Sequence, residues 1–276
     1  MQKYLLTLLI GLFLTSYSQD FIPENVLVYL QYSNNMRDKF LPVWQTTVKK
    51  NKISKETYIS YDNSSLSDRM PTPFDSTIFN YDNEGRLISS VSTSPFAGAE
   101  SAVRVTTTFL YENGLFAGSN DDRGNSMKIE RDSKGRITTL ESRDNSYNLL
   151  CKYHYAGDQL MMIELNPGQE GSVQIVYQEN VFIAQDTNST MTTIGDKYGR
   201  VNYVNAHNIG MENKYDSEER LIEMKIYQGE STEITTFLYS GELLQEVIYT
   251  AHEGEIGADL KDTQITKSVK TVVRYE

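Results

Sequence analysis

Cysteine is almost absent. Cys151 is the one thiol in 276 residues, which excludes an internal disulfide; lying far from the N-terminus, it also excludes a lipid anchor on a signal-proximal cysteine. Histidine is nearly as scarce: His154, His207 and His252 stand far apart, without His-x-His or His-Glu-x-x-His spacing, so no zinc site is expected. Gly-rich phosphate loops and Gly-x-Ser-x-Gly elbows are missing too. Positive charge is short, 26 Lys and Arg against 37 Asp and Glu for a net −11, and so acidic a chain repels nucleic-acid backbones and anionic membranes. The ten-residue apolar run at 5–14 is too short to span a bilayer.

That run has another reading. Lys3 precedes it, and Ser16-Tyr17-Ser18 follows with small residues at the −3 and −1 positions, the pattern of a Sec signal peptide cleaved after Ser18. Removing 18 of the 276 residues, one lysine among them, leaves 258 at a net charge of −12. A chain of that length can bury a core without disulfides. Export to the periplasm or beyond the cell is expected, with no stable membrane insertion afterwards.

What is abundant is tyrosine, 19 against one tryptophan, and six of the 19 lead copies of a recurring unit. Tyr81-Asp82-Asn83-Glu84-Gly85-Arg86-Leu87 reads as a β-hairpin: an Asp that bonds forward to backbone N–H groups, and a Gly at the φ > 0 position that closes a type I turn with a G1 bulge. The unit returns around Asp132 and Gly135, Asp196 and Gly199, and Asp216, where Glu219 replaces the Gly and predicts a strained or different turn. A shorter form has two turn residues: Asn113-Gly114 after Tyr111, Gly157-Asp158 after Tyr155, Glu179-Asn180 after Tyr177 and Gly241-Glu242 after Tyr239. Steps between the leading positions (81, 111, 131, 155, 177, 195, 215, 239) run from 18 to 30 residues, the period of a repeat architecture. Tyr61-Asp62-Asn63 reads as a degenerate ninth copy.

Eight ordered copies of this unit resemble the YD repeat, also called the RHS repeat, of bacterial cell-surface and secreted proteins, and most of all the small secreted YD-repeat proteins of bacterial envelopes. The resemblance covers residues 55–276 and implies a sheet of consecutive hairpins that coils on itself. Large relatives wrap such a sheet around a C-terminal toxin and end it with a self-cleaving aspartyl-protease core. No such core is present in this sequence, so toxin delivery is not expected.

The expected fold is therefore all-β: tandem antiparallel β-hairpin repeats in one extended, twisted and curling sheet, with a short helical N-terminal cap. The expected division is a signal peptide at 1–18, a cap at 19–54 and the repeat domain at 55–276. Within the cap, Pro23 fits the first turn of a short helix while 26–32 reads equally as a strand, 43–49 around Trp44 reads as the first strand, and Lys49-Lys50-Asn51-Lys52 reads as a solvated turn. Strands are expected at 76–81, 87–91, 103–111, 115–117, 127–131, 136–142, 147–155, 159–164 and onward to a closing strand at 272–275, with loops at 92–102, 120–126 and 253–262. The leading position and the residue two before it share a face, giving a stripe of Phe79 and Tyr81, Phe109 and Tyr111, Ile129 and Arg131, Tyr153 and Tyr155, Ile175 and Tyr177, Phe237 and Tyr239, Val273 and Tyr275. Against it should pack Leu87, Leu115, Ile137, Leu160, Val201, Leu221 and Leu243, each contributing roughly 1.5 to 3 kcal/mol if fully buried.

No catalytic, cofactor-binding or metal-binding residue is assigned. Cys151 shares its strand face with Leu149 and Tyr153 and reads as a buried structural thiol; Asp121-Asp122-Arg123-Gly124-Asn125 and Glu253-Gly254-Glu255 lack the spacing of a calcium loop and read as connectors. The expected function is a non-catalytic binding or scaffolding module of the cell envelope, most of all for another protein. The alternative is a carbohydrate-binding module or carbohydrate-active enzyme, with exposed Tyr and Asn stacking on a glycan and bonding its hydroxyls. N-terminal sequencing of the exported protein should return Gln19, cyclised or not, as the first residue; Met1 would reject the signal peptide.

Overall fold

The structure, a computed structural model, describes residues 38–40, 42–62, 73–94, 102–144, 148–168, 173–178, 181–185, 190–195, 201–206, 209–253 and 264–276, and within 173–209 the backbone course alone. A 3₁₀ turn, Asp38–Phe40, precedes helix α1, Pro42–Asn51. Eighteen strands follow: β1 Lys55–Asp62, β2 Pro73–Tyr81, β3 Leu87–Ser94, β4 Val103–Glu112, β5 Leu115–Asp121, β6 Ser126–Arg131, β7 Ile137–Arg143, β8 Asn148–Ala156 and β9 Gln159–Leu165. Then come β10 Val173–Gln178, β11 Val181–Gln185, β12 Thr190–Gly195, β13 Val201–Ala206, β14 Ile209–Tyr215, β15 Leu221–Gln228, β16 Ser231–Ser240, β17 Leu243–Glu253 and β18 Gln264–Tyr275.

All eighteen belong to one antiparallel sheet, each strand pairing with its neighbours in sequence. The last strand also pairs with the first: Glu56 lies opposite Tyr275 on one side and Phe79 on the other. Every strand therefore has two partners, and the ladder runs in a closed circuit, which removes the edges that would otherwise template aggregation. Residues 54 and 55 complete this seam, donating their amides to the Glu276 carbonyl at 2.7 and 3.1 Å.

The motif turns form the expected geometry. In the first, the Gly85 amide bonds the Asp82 carbonyl and the Asp82 amide bonds the Arg86 carbonyl, both at 3.0 Å, with Gly85 at φ +79°. Asp216 to Arg220 form the same two bonds, so Glu219 does not change the turn type; it accepts φ +64°. Asn113 and Gly114 both have positive φ, as a type I′ turn requires, whereas at Gly157 and Gly241 only the first central residue does. In seven hairpins the register shifts by one residue just before the leading position, for example between Asn80 and Tyr81.

That shift decides which side chain after the turn points inward. Tyr111 stands opposite Phe116 and Tyr239 opposite Leu244, not opposite Leu115 and Leu243. Leu115 is accordingly exposed and Leu243 only half-buried, correcting their expected burial, whereas Leu87, Ile137, Leu160 and Leu221 are in the core. Val201 falls among the residues described by backbone alone. The stripe itself is present where side chains are described, with Phe79, Phe109, Ile129, Tyr153, Phe237 and Val273 all buried. Tyr61 and Asp62 end β1 at the end of the sheet opposite the other leading positions, and the turn that would follow them lies outside the described residues.

The cap differs most from expectation. Residues 42–51 form a helix rather than a first strand, and the expected helix after Pro23 lies outside the described residues. Val43, Thr46, Thr47 and Val48 favour a strand by propensity, but Pro42 suits a first helical turn and Val48, i+4 from Trp44, is fully buried against the sheet. The basic run is the end of this helix, not a solvated turn: Lys52 takes φ +54°, and the Lys52 and Ile53 amides bond the carbonyls of Lys49 and Val48, a Schellman closure. Lys49 pairs with Glu84 and Lys50 with Glu242, each at 2.6 Å, fixing α1 across turns from both sides of the seam.

The helix sits so close to the first motif turn that a Cβ on Gly85 would lie 2.2 Å from the Gln45 carbonyl oxygen, whereas one on Gly135 would meet only a Leu115 methyl at 3.6 Å. Both glycines have φ near +80°, so alanine strains either turn similarly. Gly85→Ala should then cost at least about 1 kcal/mol more than Gly135→Ala in urea denaturation, the margin of forcing the helix away; equal costs would mean α1 is not docked.

Candidate functional site

The motif residues engage one another. The Asp82 carboxylate accepts the amides of Glu84 and Arg86 at 2.9 Å and the Arg86 side chain at 2.7 Å. Asp132 with Arg136 and Asp216 with Arg220 repeat the arrangement. Each clamped guanidinium then lies over the leading tyrosine of the next hairpin, Arg86 over Tyr111 at 5.3 Å, Arg136 over Tyr155 at 4.4 Å and Arg220 over Tyr239 at 4.8 Å. Those tyrosines in turn donate to the backbone carbonyl that follows the preceding turn, Tyr111 to Leu87, Tyr155 to Ile137 and Tyr239 to Leu221, at 2.8 to 3.0 Å. Tyr275 does the same to Leu244 at 2.6 Å. Arg131 stands in for a tyrosine, donating to the Phe116 carbonyl at 3.3 Å.

Sequence reasoning missed a further turn of this kind. Asp121 accepts the amides of Arg123 and Asn125 and the Asn125 side chain, with Gly124 at φ +87°. The segment expected as a connector is thus a motif turn, at the opposite end of the sheet and with Asn in the Arg position. Its Asp-x-x-Gly spacing was the available signal.

A buried charge pair lies where the cap meets the seam. Lys39 and Glu56 are 4% and 0% exposed, and Lys39 donates to both Glu56 oxygens at 2.7 to 2.8 Å. Tyr58 and Tyr81 supply further donors to Glu56 at 3.0 and 2.6 Å, and the Trp44 indole donates to the Tyr81 hydroxyl at 3.2 Å. The ammonium sits 3.9 Å from the Trp44 ring centre. Burial, and then the Glu56 charge, push both phenols well above their ordinary range. Every oxygen of this carboxylate is occupied by the protein, so the cluster holds the fold together rather than offering a reactive group.

The scattered candidates stay scattered. Cys151 is fully buried, and burial pushes its thiol to about 12, far from a reactive thiolate. His154 contacts Glu164 at 2.8 Å on the surface, and His252 contacts Thr250 at 2.9 Å; His207 and most of Glu253-Gly254-Glu255 lie outside the described residues. Among the described residues no group of three or more His, Cys, Asp or Glu is placed to hold a metal ion, and no helix is long and apolar enough to cross a membrane.

A cleft of about 760 Å³ lies on the sheet where β5 and β6 part. These strands share three residue pairs, from Gly118 opposite Lys128 to Asn120 opposite Ser126. At Gly118 a Cβ would lie 2.1 Å from the Met127 carbonyl, so this close crossing needs glycine, and beyond it the strands separate. Leu110 supplies an exposed apolar wall, while Glu112, Lys128, Glu130, Glu141 and Arg143 line the rest. Lys128 pairs with Glu130 and Arg143 with Glu141, and no aromatic ring lines the cleft.

No family model matches this chain and no curated protein matches it. Among solved structures, a porin-like protein from Bacteroides uniformis is similar at 15% identity and TM-score 0.46, over 81% of this chain and 96% of that one. A TcdB2–TccC3–Cdc42 complex is similar at 12% identity and TM-score 0.31, over 71% of this chain but 14% of that one. The Tc holotoxin pore of Photorhabdus luminescens follows at 11% identity and TM-score 0.31, over 68% of this chain and 13% of that one. At such identities and TM-scores these likenesses carry no conclusion about family or function.

The turn carboxylates make stability depend on pH. The Arg136 side chain, then backbone amides, hold Asp132 below the usual carboxylate range; burial pushes Asp82 and Asp216 up, but amides and guanidinium more than offset it. Folded values below unfolded ones mean stability fully present above the unfolded value of about 3.9 and lost as pH falls through the folded values. The urea midpoint should be level between about pH 5 and 7 on this account and fall below about pH 4. A triple Asp82→Asn, Asp132→Asn, Asp216→Asn variant should show a shallower acid fall; an unchanged slope would mean these carboxylates are not the titrating groups.

Proposed function

We propose that the chain is an exported YD-repeat protein serving as a non-catalytic binding or scaffolding module of the bacterial cell envelope, with another protein as its partner. The carrying observation is the cleft between β5 and β6, which combines an exposed leucine with charges of both signs and contains no ring on which a sugar could stack. Apolar contact flanked by paired charges suits a polypeptide surface. The family reading is supported by the motif: Asp, Arg and Tyr each have a defined job in joining one hairpin to the next, which explains why they recur together. That same engagement weighs against the glycan reading in its original form, because the leading tyrosines turn inward and spend their hydroxyls on backbone carbonyls.

A photo-crosslinking residue placed at Leu110 should, in the native envelope, form a discrete adduct with another polypeptide that is lost when Lys128→Glu and Arg143→Glu are combined. The same probe at Met161, exposed on β9, should give no such adduct. Equal labelling from both positions, or none from Leu110, would reject the cleft as a protein-binding surface.

A further inference from the structure

The outer face of the sheet changes character at the seam. Away from it, β6 presents Lys128 and Glu130, β8 Lys152 and His154, and β14 Glu212 and Lys214, all exposed. Across the seam the outward side chains are aliphatic: Leu238 on β16, Ile248 on β17, Val272 on β18, Ile59 on β1, Ile78 on β2 and Val91 on β3. Each is next in sequence to a buried inward residue, as Ile59 is to Tyr58 and Ile78 to Phe79, so alternation turns it outward. None of the six packs against the inner cluster.

Register makes them one patch. Ile59 lies opposite Val272, and Ile78 opposite Val91. Ile78 faces Thr57, two positions from Ile59, and Val272 faces Glu246, two positions from Ile248. Leu238 faces the same Glu246 from the other side. Direct and diagonal neighbours at these spacings are within reach of one another's side chains. Strand propensity would favour Ile and Val on any strand; it does not explain why they gather on six adjacent ones.

Size and charge select the occupant. Six strands at 4.8 Å intervals and the eight residues of β1 at 3.3 Å each span roughly 24 by 26 Å, on the order of 600 Å². That is the lower end of what each partner buries in a specific interface, and a contiguous aliphatic band is seldom left bare on a monomer. Glu246 is balanced by Lys270 at 2.7 Å, and Arg104 and Arg274 stand exposed at the rim. On a chain of net −11 this face thus carries no surplus negative charge, so two copies approach here without carboxylate facing carboxylate. An aliphatic band is also complementary to itself, as a two-fold contact requires, because the same patch serves on both sides.

We propose that the chain forms a two-fold dimer through the outer face of β16, β17, β18, β1, β2 and β3, sheet against sheet, with Ile59 and Val272 at the centre. This face shares no residue with the cleft between β5 and β6, and neither reading depends on the other.

The test is sedimentation velocity of the purified full chain across a dilution series. A dimer should form at about 100 micromolar chain and dissociate on dilution, as an interface of this size implies. Ile59→Lys, carried twice in each dimer, should raise the dissociation constant by about tenfold or more. Met161→Lys on β9, exposed and off the patch, should leave it unchanged. Should Ile59→Lys fail to fold, a photo-crosslinking residue at Ile78 decides: purified protein alone should give an adduct of twice the chain mass, which the same residue at Met161 does not. A monomer at about 100 micromolar, a dimer indifferent to Ile59→Lys or weakened equally by Met161→Lys, or no such adduct from Ile78, would overturn the proposal.

Discussion

A carboxylate bonded to the backbone of its own turn is the interaction from which the rest of this architecture follows. Asp82, Asp132 and Asp216 each fix a turn and hold an arginine in one orientation; the arginine covers the next tyrosine, and the tyrosine ties back to the preceding strand. A single hairpin is marginal in water. This relay makes each one a condition for its neighbour, so the sheet grows by nearest-neighbour terms in the manner of a solenoid and then stops being one, because its ends meet.

Closure concentrates demands at one place. The seam joins β1 to β18, and there the chain sets its fully buried ion pair, with Glu56 on β1 and Lys39 delivered by the cap. Taking two charges out of water is costly unless every remaining hydrogen-bonding position is filled, and Tyr58 and Tyr81 fill them. Removing either partner alone would leave the other charge buried and unpaired, so cap and seam are held together as a set. The helix above it is held by ion pairs to turns on both sides, Glu84 and Glu242.

Much of this was legible in the sequence because turn chemistry is local. Asp and Gly at fixed spacing can be read without knowing the rest, and strand positions with the inner stripe follow by alternation. The errors arose where a distant contact decides. Residues 43–49 look like a strand by their β-branched side chains, but the helix wins because Trp44 and Val48 bury one face on the sheet. Leu115 and Leu243 were placed inward because the extra residue opposite each leading tyrosine reverses the alternation. The Lys39 and Glu56 pair and the cleft below Gly118 have no local signature: their parts lie on different elements, and only the folded sheet and its cap bring them together.

The seam also bears on how such a chain can be made. Glu56 and Tyr275 are partners across most of the sequence, so a chain synthesised N-terminus first presents β1 long before its mate exists. Contacts of such sequence separation form slowly, since the entropy of closing the loop is lost before the pairing can repay it. Until the final strand arrives, β1 is an open strand edge. A holding chaperone, or burial of that strand by the cap alone, is what folding would need during that interval.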